Sequence, residues 1–267
     1  MGEIDQFQSL FRRAAKPVFL TDPPEIHRIL GLGIREERVR RLLDGLLGEG
    51  ISVSVLEGEP PASVSVLMDR IGAREPDLLL CPRFYGCPEP HPRSLGQYVD
   101  VLAQYEGCPV LLLPAQDLRL HRVMVATDRL SGDARLCSAG ALFTPEGGTL
   151  VLAHVEDSQA LERILDAISR IPWIDTARAR EDLEASLLGE SREWIASVTE
   201  ALHGAGRSIE IHSVVTKGRS IEIYRKLLRE QEADLLVMNT MDEGQLAMRG
   251  MSYAMAIEFT ETGVLLL

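Results

Sequence analysis

The residues able to do chemistry are few and far apart. His154 closes an apolar run, where it would be a base or a ligand if left free and an ordinary strand-end histidine if satisfied. Serine, histidine and aspartate all occur, yet no G-x-S-x-G elbow lifts a serine into position for attack. The four cysteines, Cys81, Cys87, Cys108 and Cys137, include no C-x-x-C pair, and no histidines cluster at zinc spacing. Cys108 and Cys137 lie in apolar runs and read as small buried hydrophobes. Cys87 and His91 could form a reactive thiolate pair, but they share the loop Cys87-Pro88-Glu89-Pro90-His91-Pro92-Arg93. Arg83 and Arg93 would hold an anion there, or simply lie in solvent. No catalytic set and no metal site emerges, and the chain is not expected to be an enzyme.

Bulk composition narrows the partners. The chain has 267 residues, which favours two domains over one. With 45% hydrophobic and 25% charged residues it should fold as a globular protein rather than remain disordered. Its formal net charge of −12 denies it the basic footprint that nucleic acid or an anionic membrane requires. No run approaches the roughly 18 apolar residues of a spanning helix. The opening Met1-Gly2-Glu3-Ile4-Asp5 is acidic, unlike a secretory signal, and Gln6 stands where myristoylation needs Ser or Thr. A reduced, soluble, cytoplasmic protein is expected.

The elements that must position any site are legible as short apolar runs. They are Val18–Thr21, Leu78–Cys81 and Val110–Leu113 in the first half, then Val123–Thr127, Leu150–Val155, Leu235–Met238 and Val264–Leu267. Runs without polar alternation are strands covered on both faces, as in parallel sheets. Ile51–Val55 and Ile209–Val215 alternate, so they are expected at sheet edges. Amphipathic helices lie between. Val39, Leu42, Leu43, Leu46 and Leu47 form one stripe, ended by Gly48 and Gly50; Trp194, Ile195, Val198 and Leu202 form another, closed near Gly204 or Gly206. Strand and helix in alternation specify a doubly wound α/β architecture.

The pattern occurs twice. Gly58, a helix over Val64–Ile71 and Asp77-Leu78-Leu79-Leu80 match Gly218, a helix over Ile221–Leu228 and Asp234-Leu235-Leu236-Val237. Gly96 stands thirteen positions before Pro109, and Gly250 thirteen before Gly263. Duplication follows, with domains at 1–116 and 117–267 and a polar linker over Pro114–Arg122. The second half offers five strands and the first only four. Its opening helix, Phe7 to Ala14, has no strand before it, so the first domain is expected to lack its leading strand.

In this order of motifs the chain resembles the universal stress protein family in a tandem arrangement. Gly96 to Pro114 (GQYVDVLAQYEGCPVLLLP) resembles the family's closing helix and strand. Asp77–Cys81 and Asp234–Met238 resemble its fourth strand, Val123–Asp128 (VMVATD) its first with the terminal Asp, and Leu150–Val155 (LVLAHV) its second. The resemblance implies two Rossmann-like domains of the adenine nucleotide alpha hydrolase-like type. It also implies an adenine nucleotide held by a G-x2-G-x9-G-[S/T] loop, whose glycines bring backbone N–H groups to phosphate at a helix N-terminus. The strand-end Asp would accept hydrogen bonds from base or ribose at the switch point of the sheet.

Neither half keeps that loop. In the first, Gly86 and Gly96 hold the spacing, but Arg83 and Gln97 replace the outer Gly and the Ser/Thr, and three prolines remove N–H donors. In the second, Asp128 is present, while Val237 and Thr240 occupy the two earlier glycine positions and Met251 the hydroxyl position, with Ser252 next. Asp242 and Glu243 would repel an arriving phosphate. Asp128 could equally cap the next helix. The expected function is a non-enzymatic binding or regulatory protein of the stress response, with decayed nucleotide sites, no cofactor and an unidentified protein partner. The alternative is an ATP- or AMP-binding switch using Asp128, Asn239, Thr240, Gly250 and Ser252. The apolar strands Val110–Leu113 and Val264–Leu267 should pair with each other, as a pseudo-dimer within the chain or exchanged in a homodimer.

Overall fold

A computed structural model describes residues 25–44, 46, 50–87, 94–105, 107–127, 133–171, 173, 175–240 and 250–267. Its strands are β1 (Arg28–Leu32), β2 (Ser52–Leu56), β3 (Leu78–Pro82), β4 (Val110–Leu113), β5 (Arg122–Thr127), β6 (Thr149–Asp157), β7 (Glu210–Gly218), β8 (Leu235–Met238) and β9 (Gly263–Leu266). Between them run α1 (Glu36–Leu43), α2 (Val64–Gly72), α3 (Gln97–Leu102), α4 (Asp133–Phe143), α5 (Ser158–Ser169), α6 (Thr176–Gly204), α7 (Ser220–Glu230) and α8 (Gly250–Glu258).

The nine strands form one sheet in the order β2-β1-β3-β4-β9-β8-β5-β6-β7. All neighbours are parallel except β4 and β9, which run antiparallel with Val110 opposite Leu266, Leu111 opposite Leu265 and Leu112 opposite Val264. Helices cover both faces. Buried side chains of α2, α3, α7 and α8 share one core with Leu79, Leu112, Leu236 and Leu266. Those of α1, α4 and α6 share the other with Leu80, Leu111, Val237 and Leu265. The inner strands are largely apolar because successive side chains enter different cores. The two alternating segments do lie in the edge strands, β2 and β7.

The first half is corrected in one respect. Its leading strand is present as β1, Arg28–Leu32, in the central slot between β2 and β3. The run Val18–Thr21 and the helix Phe7 to Ala14 lie outside the described residues, as does Gly48. Counting outward from β4, the first half reads β4-β3-β1-β2, and the second, from β9, reads β9-β8-β5-β6-β7. Among the described residues the first half therefore lacks a counterpart of the outermost strand, β7, and not of the first.

Matching hydrogen bonds fix this equivalence. The Asp77 carboxylate accepts the N–H groups of His27 (3.0 Å) and Arg28 (2.8 Å). The Asp234 carboxylate accepts those of His121 (3.0 Å) and Arg122 (2.8 Å). Asp77 N–H then donates to Arg28 O, and Asp234 N–H to Arg122 O. Each aspartate ties the start of a buried strand to its central neighbour. The second half also contains the long insertion α5–α6, a helical pair with its own small core of Leu161, Leu165 and Leu187.

Candidate functional site

In open α/β sheets ligands bind beyond the carboxyl ends of the strands, at the switch point. In the first half that end is packed shut. The matching clasps put Ile34 at the place of Asp128, and Ile34 is buried. Gly33 before it has φ +61°, and a Cβ there would lie 2.7 Å from the Tyr85 ring. Gly86 has φ +73°, with Pro60 Cγ and Tyr98 Cδ2 each 2.6 Å from where its Cβ would be. Tyr85 and Tyr98 meet edge to face at 6.1 Å, and the Tyr98 hydroxyl donates to Pro61 O. The two glycines thus admit tyrosine rings. Gly96, at φ +91°, precedes α3; its N–H donates to Ser94 Oγ at 3.0 Å, and Cys87 Cβ lies 3.1 Å from its notional Cβ.

Arg83 is not solvated, and its Nη2 is engaged by the protein itself. Only 3% exposed, it donates through Nη2 to Phe259 O (2.7 Å) and Thr262 O (3.0 Å). Phe259 follows the end of α8, so a cation from the first half caps a helix of the second at its negative pole. Nε and Nη1 find no partner among the described residues. Burial lowers the guanidinium's pKa to about 10, which leaves it charged at neutral pH. On the same side of the sheet, Tyr253 of α8 donates to Asp100 of α3 at 2.7 Å, a second bond across the seam. Arg93 and His91 lie outside the described residues. Burial pushes the Cys81 and Cys108 thiols up to about 12, so neither is a nucleophilic thiolate.

In the second half the structure brings Asn239, Thr240 and Ser252 together. Ser252 Oγ donates to Asn239 O at 2.7 Å. Thr240 donates to Leu267 O twice, through Oγ1 at 2.8 Å and its amide at 3.0 Å. Both hydroxyls are thereby committed to backbone carbonyls. Gly250 begins α8, exposed, and a Cβ there would meet nothing within 4 Å. Asp128, Met241, Asp242 and Glu243 lie outside the described residues. His154 is buried and satisfied: Nδ1 lies 3.0 Å from Thr127 O and Nε2 3.1 Å from Glu156 Oε2.

Among the described residues, Arg83 Nη2 and the Thr240 and Ser252 hydroxyls are thus bonded to the protein's own carbonyls. Two clefts occur elsewhere. One of about 220 Å³ lies between α1 and the 114–121 connection, beside Arg38, Arg41 and Arg119. Another of about 200 Å³ lies between α7 and the 259–262 turn. Neither is lined by a site residue expected from the sequence. Among the described residues no group of His, Cys, Asp or Glu could hold a metal ion, and no helix is long and apolar enough to cross a membrane. The sequence reading missed the tyrosine plug and the aspartate clasps. The signal for the clasps was present, since His-Arg precedes an apolar run at both His27 and His121.

No protein-family profile and no curated protein matches the chain. Solved structures do. A Pseudomonas aeruginosa protein of unknown function is 15% identical, with TM-score 0.54, over 91% of this chain and 93% of its own. A putative universal stress protein from the same species is 18% identical, with TM-score 0.52, over 90% and 82%. At such identities the likeness is one of fold.

Proposed function

Starting from the universal stress protein fold that the chain carries, we propose that it is a non-enzymatic binding or regulatory protein of the stress response. In this reading, residues 1–116 and 117–267 are two domains that form a pseudo-dimer within one chain through β4 and β9. It acts in the cytoplasm through a protein partner, and its nucleotide sites have decayed. The observation that carries the reading is the fate of the donors at the strand ends. Arg83 turns to Phe259 and Thr262, Thr240 to Leu267 and Ser252 to Asn239, so groups that would meet phosphate are bonded to the protein's own carbonyls.

The test is calorimetric titration of the full chain with Mg-ATP and with AMP. No dissociation constant below about 100 μM is expected, about 2.7 kcal/mol weaker than a micromolar site. A low-micromolar constant, or adenine nucleotide co-purifying in native mass spectrometry, would overturn the reading. It would support the nucleotide switch built on Asp128, Asn239, Thr240, Gly250 and Ser252, with Asp128→Ala as the variant to abolish it.

A further inference from the structure

The two outermost strands of the described sheet differ in how they are guarded. β7 carries Glu210, His212 and Lys217; Glu210 pairs with His212 at 2.9 Å, and Lys217 with Glu184 of α6. Charged residues of this kind keep an edge from pairing with other chains. β2, Ser-Val-Ser-Val-Leu, has no charge and no proline. Among the described residues its only strand neighbour is β1. Ser52 N–H donates to His27 O, and Gly33 N–H donates to Leu56 O. Residues 52, 54 and 56 therefore turn their backbone groups inward, and Val53 and Val55 turn theirs out. The Ser52 and Ser54 hydroxyls bond back to His27 O and Ile29 O, which leaves the outer margin small and uncharged.

We propose that β2 is a docking edge for a second copy of this chain, paired antiparallel about a two-fold axis at Ser54. The sequence is self-complementary in that register. Val53 of each copy faces Val55 of the other, and both exchange N–H···O bonds, four in all by strand geometry. The fold already uses the same solution once. β4 and β9 both read Val-Leu-Leu at residues 110–112 and 264–266, and they pair antiparallel about Leu111 and Leu265. The β2 pairing would repeat this at the edge where the described residues of the first half include no outer strand, extending the sheet across the dimer. A second copy suits this edge better than an unrelated peptide. Only β2 itself is certain to present the same short, uncharged strand with matching side chains.

The experiment uses the full chain in analytical ultracentrifugation, with a dimer expected at about 50 μM. Ser54→Lys, at an exposed position, places two like charges on the axis and should weaken the dimer at least about tenfold without unfolding the protein. Ser54→Cys tests the register directly. Facing residues in a non-hydrogen-bonded pair sit about 4.5 Å apart at Cα, within disulfide range. Because Cys87 is partly exposed while Cys81, Cys108 and Cys137 are buried, the variant is made on a Cys87→Ser background, where it should form a reducible covalent dimer that the Cys87→Ser chain alone does not form. A monomeric wild type overturns the proposal, and this is also the result if another segment of the same chain covers β2. A dimer that tolerates Ser54→Lys and does not cross-link through Ser54→Cys overturns it equally.

Discussion

The two halves of the sheet share a frame and diverge at their ends. Asp77 and Asp234 hold equivalent strands by equivalent bonds, and Arg83 N–H to Leu113 O repeats as Thr240 N–H to Leu267 O. Beyond that frame, the described residues of the first half end the sheet at β2, whereas the second half adds the α5–α6 pair and β7. Ile34, Tyr85, Tyr98 and Arg83 fill the strand ends of the first half, while the second keeps smaller polar residues there. Backbone clasps and the seam are shared because both halves need them to form one sheet. The strand ends are free to differ because they do not hold the sheet together.

The largest expected effect follows from the seam. Leu112 is fully buried on β4 opposite Val264 of β9. Leu112→Lys would place a charge there without a partner, costing about 4 kcal/mol or more in urea unfolding. If it leaves no folded protein to measure, Leu112→Ala should still cost about 3 kcal/mol. Little change in either variant would mean that the halves do not depend on one another through this ladder.

Arg83 comes next. Replacing it with Met keeps its length and leaves Phe259 O and Thr262 O without their donor, for a loss of about 2 kcal/mol. The loss is smaller than two charged hydrogen bonds suggest, because Met also removes a buried cation with two unpaired nitrogens. Amide exchange should quicken at the end of α8, in the other half of the chain. Exchange that rises only around residue 83 would show that the residue does not bridge the seam.

These residues also show what the sequence made legible. Unbroken apolar runs identified six of the nine described strands, and alternation marked both edges, because burial on one or two faces leaves a direct trace in residue order. β1 escaped because Arg28-Ile29-Leu30-Gly31-Leu32 is short and holds a glycine. That glycine is there for packing, since a Cβ would come within 2.9 Å of Ile34 Cγ1. Proximity to a more apolar run, Val18–Leu20, drew the reading away from it. At the site, sequence showed that the glycine loops were broken but not what replaced them. The Arg83 contact spans 176 residues, and no local pattern encodes which carbonyl a distant guanidinium will reach.

A smaller effect concerns the aspartate clasps and, for Asp77, its dependence on pH. Burial alone would raise the Asp77 carboxyl, but hydrogen bonds from the Arg28 side chain and the His27 and Arg28 amides bring it below its ordinary value. A carboxylate with a lowered folded pKa contributes stability above its unfolded pKa and loses it as pH falls through the folded value. Asp77→Asn should therefore cost about 1 kcal/mol at neutral pH, discounted for partial exposure. The gap between wild type and variant should close below the ordinary carboxylate range. Asp234→Asn removes the charge from the same two-amide arrangement and should cost a similar amount at neutral pH. A much larger loss in one half than in the other would show that the clasps, despite matching distances, carry unequal loads.

The smallest effect concerns the glycines that occupy one position in the two halves. Gly96 sits at φ +91°, with Cys87 Cβ 3.1 Å from its notional Cβ. A side chain there meets both strain and a neighbour, so Gly96→Ala should cost about 1 kcal/mol. Gly250 begins a helix in open space. Gly250→Ala should change stability by no more than about 0.5 kcal/mol, with a gain favoured because alanine restricts the unfolded chain. A phosphate-cradling glycine would behave differently, losing ligand on substitution even where the protein itself is undisturbed. The two variants are to be compared by thermal unfolding with and without Mg-ATP. Equal costs would mean that the two positions share one backbone role. A nucleotide-induced stabilisation of the wild type that Gly250→Ala abolishes would mean that the second half still binds phosphate through this helix start.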